Sequence, residues 1–328
     1  MLAVGLTFLV LAAAGGSSSA AAAVHARTAV TTGVVTIQTR LGFVSAAAAG
    51  TGMVLSPSGD VLTNNHVIRG ATTIHVAVPA TGRTYGARVL GYDIADDVAV
   101  LRLQGASGLQ TVTLGDSSRL SLNQPVTAVG NAGGTGTLTT ETGTITALRR
   151  TITVNDEQGG TVRLRGLIET DADLEPGDSG GPLLDANGTV IGMNSAASAT
   201  FAFRGGGGNG FAIPIDRASA IASQIRAGRA SAGVHIGPTP FLGVGLADET
   251  DAPGGLVAVV ASRSPAERAG LEAGDTIVAF DGRPVRTRAG LVALLLRKRP
   301  GARARLAWVD RLGNREAATV TLASGPPQ

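Results

Sequence analysis

From Thr28 to Pro214 the chain is a succession of short β-type runs separated by turn residues, and this cadence limits the fold more than any other feature. Val34 to Thr39, Gly52 to Leu55, Thr73 to Val78, Val98 to Leu103, Pro125 to Val129, Arg163 to Thr170, Pro182 to Leu184 and Val190 to Met193 are rich in Val, Ile, Leu and Thr. Such side chains suit a pleated, half-buried surface, and the Gly, Pro, Asn and Asp between the runs break them. Many short strands in series predict an all-β barrel or sandwich. The 328 residues, 44% of them hydrophobic and 16% charged, are enough for two domains with cores of their own.

The period then changes. Ile215, Ala218, Ile221, Ala222 and Ile225 recur at helical spacing, which predicts a helix over 215–226. Residues 228–240 are rich in Gly, Ala, Ser and Pro and read as a linker, so the first unit ends near 227. A second unit follows over 241–325. Ser264-Pro265-Ala266-Glu267 has the form of a capping box with proline at the first helical position, and Gly270 is the stop. Thr276 to Phe280 reads as a strand, Asp281-Gly282 as a turn, and Thr287 to Arg299 as a helix with Leu291, Leu294 and Leu295 on one face. Arg303 to Val309 and Ala317 to Leu322 close a small sheet, making this domain α+β.

Residues 1–26 are apolar at the start and carry no acidic side chain; Val24-His25-Ala26 offers a small-x-small cleavage site. A signal peptide and a membrane anchor both fit, and both place the rest of the chain outside the cytoplasm. Cysteine is absent, which excludes a disulfide framework, a cysteine nucleophile and thiolate metal sites. Net charge is only +3. The cluster Arg283, Arg286, Arg288, Arg297, Lys298, Arg299, Arg303 and Arg305 reads as a solvated face, and without stacking aromatics or a recognition motif no nucleic-acid partner is implied. Gly205 to Gly208 has no phosphate-loop pattern after it and reads as a hairpin end.

The chemistry is concentrated in Gly177-Asp178-Ser179-Gly180-Gly181-Pro182. A nucleophilic serine belongs on a tight turn whose N–H groups converge on one point, where a peptide carbonyl becomes an oxyanion. Gly177, Asp178 and Ser179 span that hole, with the amides of Gly177 and Ser179 as its donors. A serine needs a base to take its proton. Of the four histidines, His25 lies in the export segment, His235 in the linker and His75 on an ordinary strand. His66, in Leu62-Thr63-Asn64-Asn65-His66-Val67-Ile68 at the end of an apolar strand, is the candidate. The imidazole needs a carboxylate in turn, and Ala95-Asp96-Asp97-Val98 offers two. Asp97 abuts the apolar strand, where burial demands a partner, so it is chosen over Asp96. The order His, Asp, Ser is that of chymotrypsin-type barrels.

These segments resemble trypsin-like bacterial proteases, most closely the HtrA family. Ile168-Glu169-Thr170-Asp171-Ala172, Ile191-Gly192-Met193-Asn194 and Gly210-Phe211-Ala212-Ile213-Pro214-Ile215 add to the likeness, and the tail resembles a PDZ domain. In that comparison Phe241-Leu242-Gly243-Val244 is similar to the carboxylate-binding loop and Ser264 to Asp275 to the short helix and the strand after it. The resemblance implies two six-stranded β-barrels with the triad between them, followed by PDZ. It implies an endopeptidase of exposed or misfolded polypeptide, binding of peptide C-termini at the PDZ domain, no metal or organic cofactor, and often a trimer, although no aromatic trimer patch stands out near residue 30.

Two positions depart from the family. Asp178 stands where asparagine is frequent, and a buried carboxylate there needs a cation or several N–H donors. Asp173, six residues before Ser179, has the spacing of an acid at the base of a primary pocket that selects Arg or Lys, whereas the HtrA likeness expects an apolar preference. Leu291, Leu294 and Leu295 line the PDZ pocket or form its core. The rival functional classes are a catalytically degenerate PDZ scaffold and an esterase. The intact His66, Asp97 and Ser179 weigh against the first, and the missing α/β alternation against the second.

Overall fold

The structure is a computed structural model that describes residues 30–42, 46–155, 161–195, 210–247 and 254–328. Residues 1–26, expected to be an export or anchor segment, and the Gly205 to Gly208 run lie outside the described residues.

Six antiparallel strands form the first barrel: β1 (Val34–Leu41), β2 (Ala46–Val54), β3 (Asp60–Thr63), β4 (Thr73–Val78), β5 (Arg83–Asp93) and β6 (Val98–Leu103). Alternation builds them. In β4, Ile74, Val76 and Val78 point inward while Thr73 and His75 are exposed, as the two-residue period of a strand requires. Pairing runs β5-β4-β1-β2-β3-β6, and β5 also pairs with β6, which closes the ring. The second barrel is closed from β7 (Pro125–Gly130), β8 (Thr139–Asn155), β9 (Thr161–Thr170), β10 (Pro182–Leu184), β11 (Val190–Asn194) and β12 (Gly210–Pro214). One apolar cluster joins the two, with Met53, Leu62 and Val100 packed in the same body as Val129, Met193 and Ile213.

Between β3 and β4 lies the single turn α1 (Asn65–Ile68), and after β12 comes α2 (Ile215–Arg226), which buries the five residues of its apolar stripe. Asp60, 2% exposed, ties α2 to the first barrel: its carboxylate takes Arg102 Nε at 2.5 Å and Arg226 Nε at 2.8 Å.

The expected linker 228–240 is more structured than its composition implies. β13 (Val234–Ile236) adds to β5 as a seventh strand, Val234 opposite Asp93 and His235 opposite Tyr92. Its three β-forming residues sit between Gly233 and Gly237, too few to register as a run. β14 (Thr239–Phe241) then pairs with β21 (Ala323–Gly325). Between them β15 (Val244–Leu246), β16 (Gly255–Val260), β17 (Thr276–Phe280), β18 (Arg283–Pro284), β19 (Arg303–Val309) and β20 (Arg315–Thr321) form the sheet of the second domain, with α3 (Pro265–Arg268) and α4 (Arg288–Leu296). Leu242, Val257, Ile277, Phe280, Leu291, Leu295, Leu306 and Trp308 fill its core. Ser264 Oγ accepts the Glu267 N–H at 3.1 Å, as the capping box requires, and Gly270 turns the chain at φ +90°. α4 stops at Leu296 instead of Arg299, because Pro300 disfavours helical geometry in the residue before it.

Candidate active site

β3 delivers the chain to α1, so His66 stands on a one-turn helix directly after the strand. β6 begins at Val98, and Asp97 precedes it with φ 54°, a left-handed conformation costly for any residue but glycine. That twist turns the Asp97 side chain and carbonyl toward α1 together. His66 Nδ1 lies 2.8 Å from Asp97 Oδ2, and the His66 N–H donates to Asp97 Oδ1 at 2.9 Å. The Asn65 N–H and the Asn64 side-chain amide both donate to the Asp97 carbonyl, at 3.2 and 3.0 Å. Asp97 is 4% exposed. Asp96 is not part of this fork; its carboxylate faces Arg217 of α2 at 3.6 Å.

The serine turn lies between β9 and β10 and is stitched to the first barrel through one residue of β2. The Thr51 N–H donates to the Ser179 carbonyl at 2.8 Å, and Thr51 Oγ1 donates to the Gly177 carbonyl at 2.7 Å. Asn131 N–H donates to that same Oγ1 at 2.9 Å, and Thr63 Oγ1 donates to the Thr51 carbonyl at 2.8 Å. Only glycine fits this weave. A Cβ at Gly177 (φ +107°) would lie 2.2 Å from the Asn131 carbonyl oxygen, and one at Gly180 (φ +88°) 2.1 Å from that of Thr51. A Cβ on Gly50 would sit 2.6 Å from Val67 and 3.3 Å from the Ser179 carbonyl, so α1 and the serine turn flank the same bare stretch of β2.

The amides of the turn are sorted. The Pro176 carbonyl is held by the Gly133 N–H at 2.9 Å, and across a trans peptide the Gly177 N–H points the opposite way. The Asp178 N–H is committed to the Glu175 carbonyl at 3.0 Å.

Among the described residues no cation faces the Asp178 carboxylate. It is 2% exposed; Oδ2 accepts the Glu175 N–H at 2.9 Å, and Oδ1 has no hydrogen-bond partner among the described residues. Burial pushes its carboxyl up to about 6, and the charges of Glu175, Glu141 and Asp173 push in the same direction. Asp173 is exposed on the loop leading into the turn.

In the second domain the loop Phe241 to Val244 follows β14. Gly243 has φ +88°, and a Cβ there would lie 2.1 Å from that of Ser264. The carbonyls of Leu242 and Gly243 are taken by Ala266 N–H and Ala261 N–H, both at 2.9 Å. β15, which follows, ends the order β15-β16-β17-β19-β20. Leu291 and Leu295 are buried and Leu294 half-buried.

Sequence reasoning did not single out Thr51, Asn64 or Asn131. For Thr51 a signal exists: a threonine between Gly50 and Gly52 within an apolar run marks close approach of another backbone.

Residues 50–193 match the trypsin-like peptidase domain family, and residues 240–322 match the PDZ domain family. The HtrA-type protease AlgW with a tripeptide is 30% identical, with 92% of this chain and 98% of that one covered and a TM-score of 0.52. The chain belongs to the HtrA family of serine proteases. Another relative of this HtrA chain is the serine protease PepD of Mycobacterium tuberculosis, 38% identical over 307 residues, which are 88% of this chain and 63% of PepD. A probable periplasmic serine endoprotease, DegP-like, of Halomonas elongata is 38% identical over 286 residues, 84% of this chain and 56% of the relative. The HtrA chain thus spans 56 to 63% of the length of these two curated relatives.

Proposed function

We propose that this HtrA-family chain is a serine endopeptidase that cleaves exposed or misfolded polypeptide outside the cytoplasm, with His66, Asp97 and Ser179 as its triad. The observation that carries the reading is the two-point grip of Asp97 on His66, main chain and ring together, beside a serine turn laced to the same barrel by Thr51. Against a carboxylate, Nδ1 carries the proton and Nε2 keeps its lone pair. Nε2 takes the Ser179 hydroxyl proton as Oγ attacks the substrate carbonyl. The developing oxyanion is met by the amides of Gly177 and Ser179; Asp178 shapes the hole without lending its own amide, which serves Glu175. The imidazolium then protonates the leaving amine, and water hydrolyses the acyl-enzyme. Relatives named as periplasmic endoproteases support the compartment.

The PDZ domain supplies recruitment or regulation. Backbone N–H groups of Phe241 to Val244 receive a peptide carboxylate, and the peptide adds as a strand along β15, which ends its sheet. Primary specificity has two readings, a basic preference through Asp173 and an apolar one by family likeness. Paired Arg-terminated and Val-terminated peptide substrates separate them: equal or better cleavage after Val removes Asp173 from the pocket.

Covalent labelling of Ser179 by a fluorophosphonate, with casein cleavage measured in parallel, tests the central claim. Both are expected to vanish in Ser179→Ala. Undiminished casein cleavage by that variant would overturn the assignment.

A further inference from the structure

The residues that follow β21 turn back onto the protease domain. Pro326 and Pro327 are buried, and the segment passes against α1. The Gly70 N–H, just beyond α1, donates to the Pro327 carbonyl at 2.8 Å. At the other end of the turn the Asn65 side-chain amide donates to the main-chain oxygen of Gln328 at 3.0 Å. The Tyr92 hydroxyl, fully buried in the first barrel, lies 3.1 Å from Thr239 Oγ1 and also bonds to the Gln328 main chain. Burial raises that hydroxyl to about 12, so it stays protonated.

α1 cannot hold its own shape. A four-residue helix is far below the length that is stable alone, and Asn64 gives it no side-chain cap. Its placement therefore comes from what grips it. On one side Asp97 takes the N–H groups of Asn65 and His66. On the other, Pro327 and Gln328 take Gly70 and the Asn65 amide. The Asn65 side-chain oxygen is buried without a partner among the described residues, so the bond to Gln328 is the polar contact that orients this side chain. The grip starts under the PDZ loop, since a Cβ on Gly325 would lie 2.4 Å from Phe241 Cβ.

We propose that residues 326–328 are a positioning strap for the catalytic base: they clamp both ends of α1 and so set where His66 stands relative to Ser179. The proposal rests on the reading of His66 as the base. The strap touches no substrate; it acts through α1.

The test uses two variants of the full chain and a short chromogenic peptide. Deletion of 326–328 leaves the β14–β21 pairing in place, and Asn65→Ala breaks the strap from the protease side with the PDZ domain intact. Each is expected to lower kcat roughly tenfold, the effect of losing about one hydrogen bond's worth of alignment. KM stays within about twofold, and the acid limb of the kcat/KM profile against pH moves. Should the deletion fail to fold, Asn65→Ala decides alone. Unchanged kcat and pH profile, with only the melting temperature lowered, would reduce the segment to packing and overturn the strap. His66→Ala is measured beside them: if it retains turnover, the base assignment falls and takes the strap with it; if it is inactive, the strap stands or falls on its own variants.

Discussion

Asp178 carries an unusual burden for a residue next to a proposed nucleophile. Its folded carboxyl titrates near 6 against the ordinary 3.8, because burial and three neighbouring acids oppose its charge. The folded state therefore holds this proton more tightly than the unfolded chain. Stability falls as pH rises from about 4 through 6, and the full cost, at most on the order of 3 kcal/mol, is present above that. Asp178→Asn, which has no charge to bury, is expected to melt higher than the parent at pH 8 and to show no gain at pH 4. A gain of equal size at both values would mean that the carboxylate is compensated. Thr51 is the second telling residue. Thr51→Val keeps its shape but strips the Gly177 carbonyl of its donor and the Asn131 amide of its acceptor. The expected result is a fall in kcat of roughly tenfold with less change in KM, reversed in Thr51→Ser. Much of this candidate site was legible in the sequence, since the serine motif, the lone well-placed histidine and the acid before an apolar strand each have a chemical reason to be where they are. Asn64 and Asn131 were not legible: each acts through contacts to residues distant along the chain, and pattern carries no such information.

Among the elements, strands with clean alternation announced themselves, and β4 and β6 occupy the runs read for them. β8 did not. Its 17 residues break register three times against β9, and Arg149 within it has φ 57°. Each bulge shifts the two-residue phase, so no single alternation survives for the eye to follow. The start of β2 was hidden differently: Ala46 to Ala49 favour a helix intrinsically and are strand only because β1 pairs along them. α2 shows how a legible helix is docked by an illegible contact. Burial alone would raise the Asp60 carboxyl, but the guanidiniums of Arg102 and Arg226 outweigh it and hold it below the ordinary 3.8. The contribution of this group is present above that value and disappears as the pH falls below it. Asp60→Asn is expected to lose about 1–2 kcal/mol in urea unfolding at pH 7 and much less at pH 3. The same loss at both pH values would assign the effect to packing.

At the level of the whole molecule, protease and PDZ units are joined by more than a tether. β13 belongs to the first barrel, β14 to a pair with β21, and Tyr92 meets His235 with ring centroids 5.1 Å apart. A composition-based reading of 228–240 could not see this, because three-residue strands gain their identity from partners. The PDZ assignment makes a prediction at this scale. By calorimetry, a short apolar peptide with a free terminal carboxylate should bind at least ten times more tightly than its amidated twin, a difference of about 1.4 kcal/mol. Equal affinities would remove the loop at Phe241 to Val244 from the binding site.

Each of the twelve strands in the two rings has a neighbour on both sides. An open sheet edge presents unpaired backbone onto which sticky, half-open segments of other chains can zip. Rings without a margin give such segments no template, so neither barrel of the protease unit can be drafted through its strands into a neighbour's aggregate.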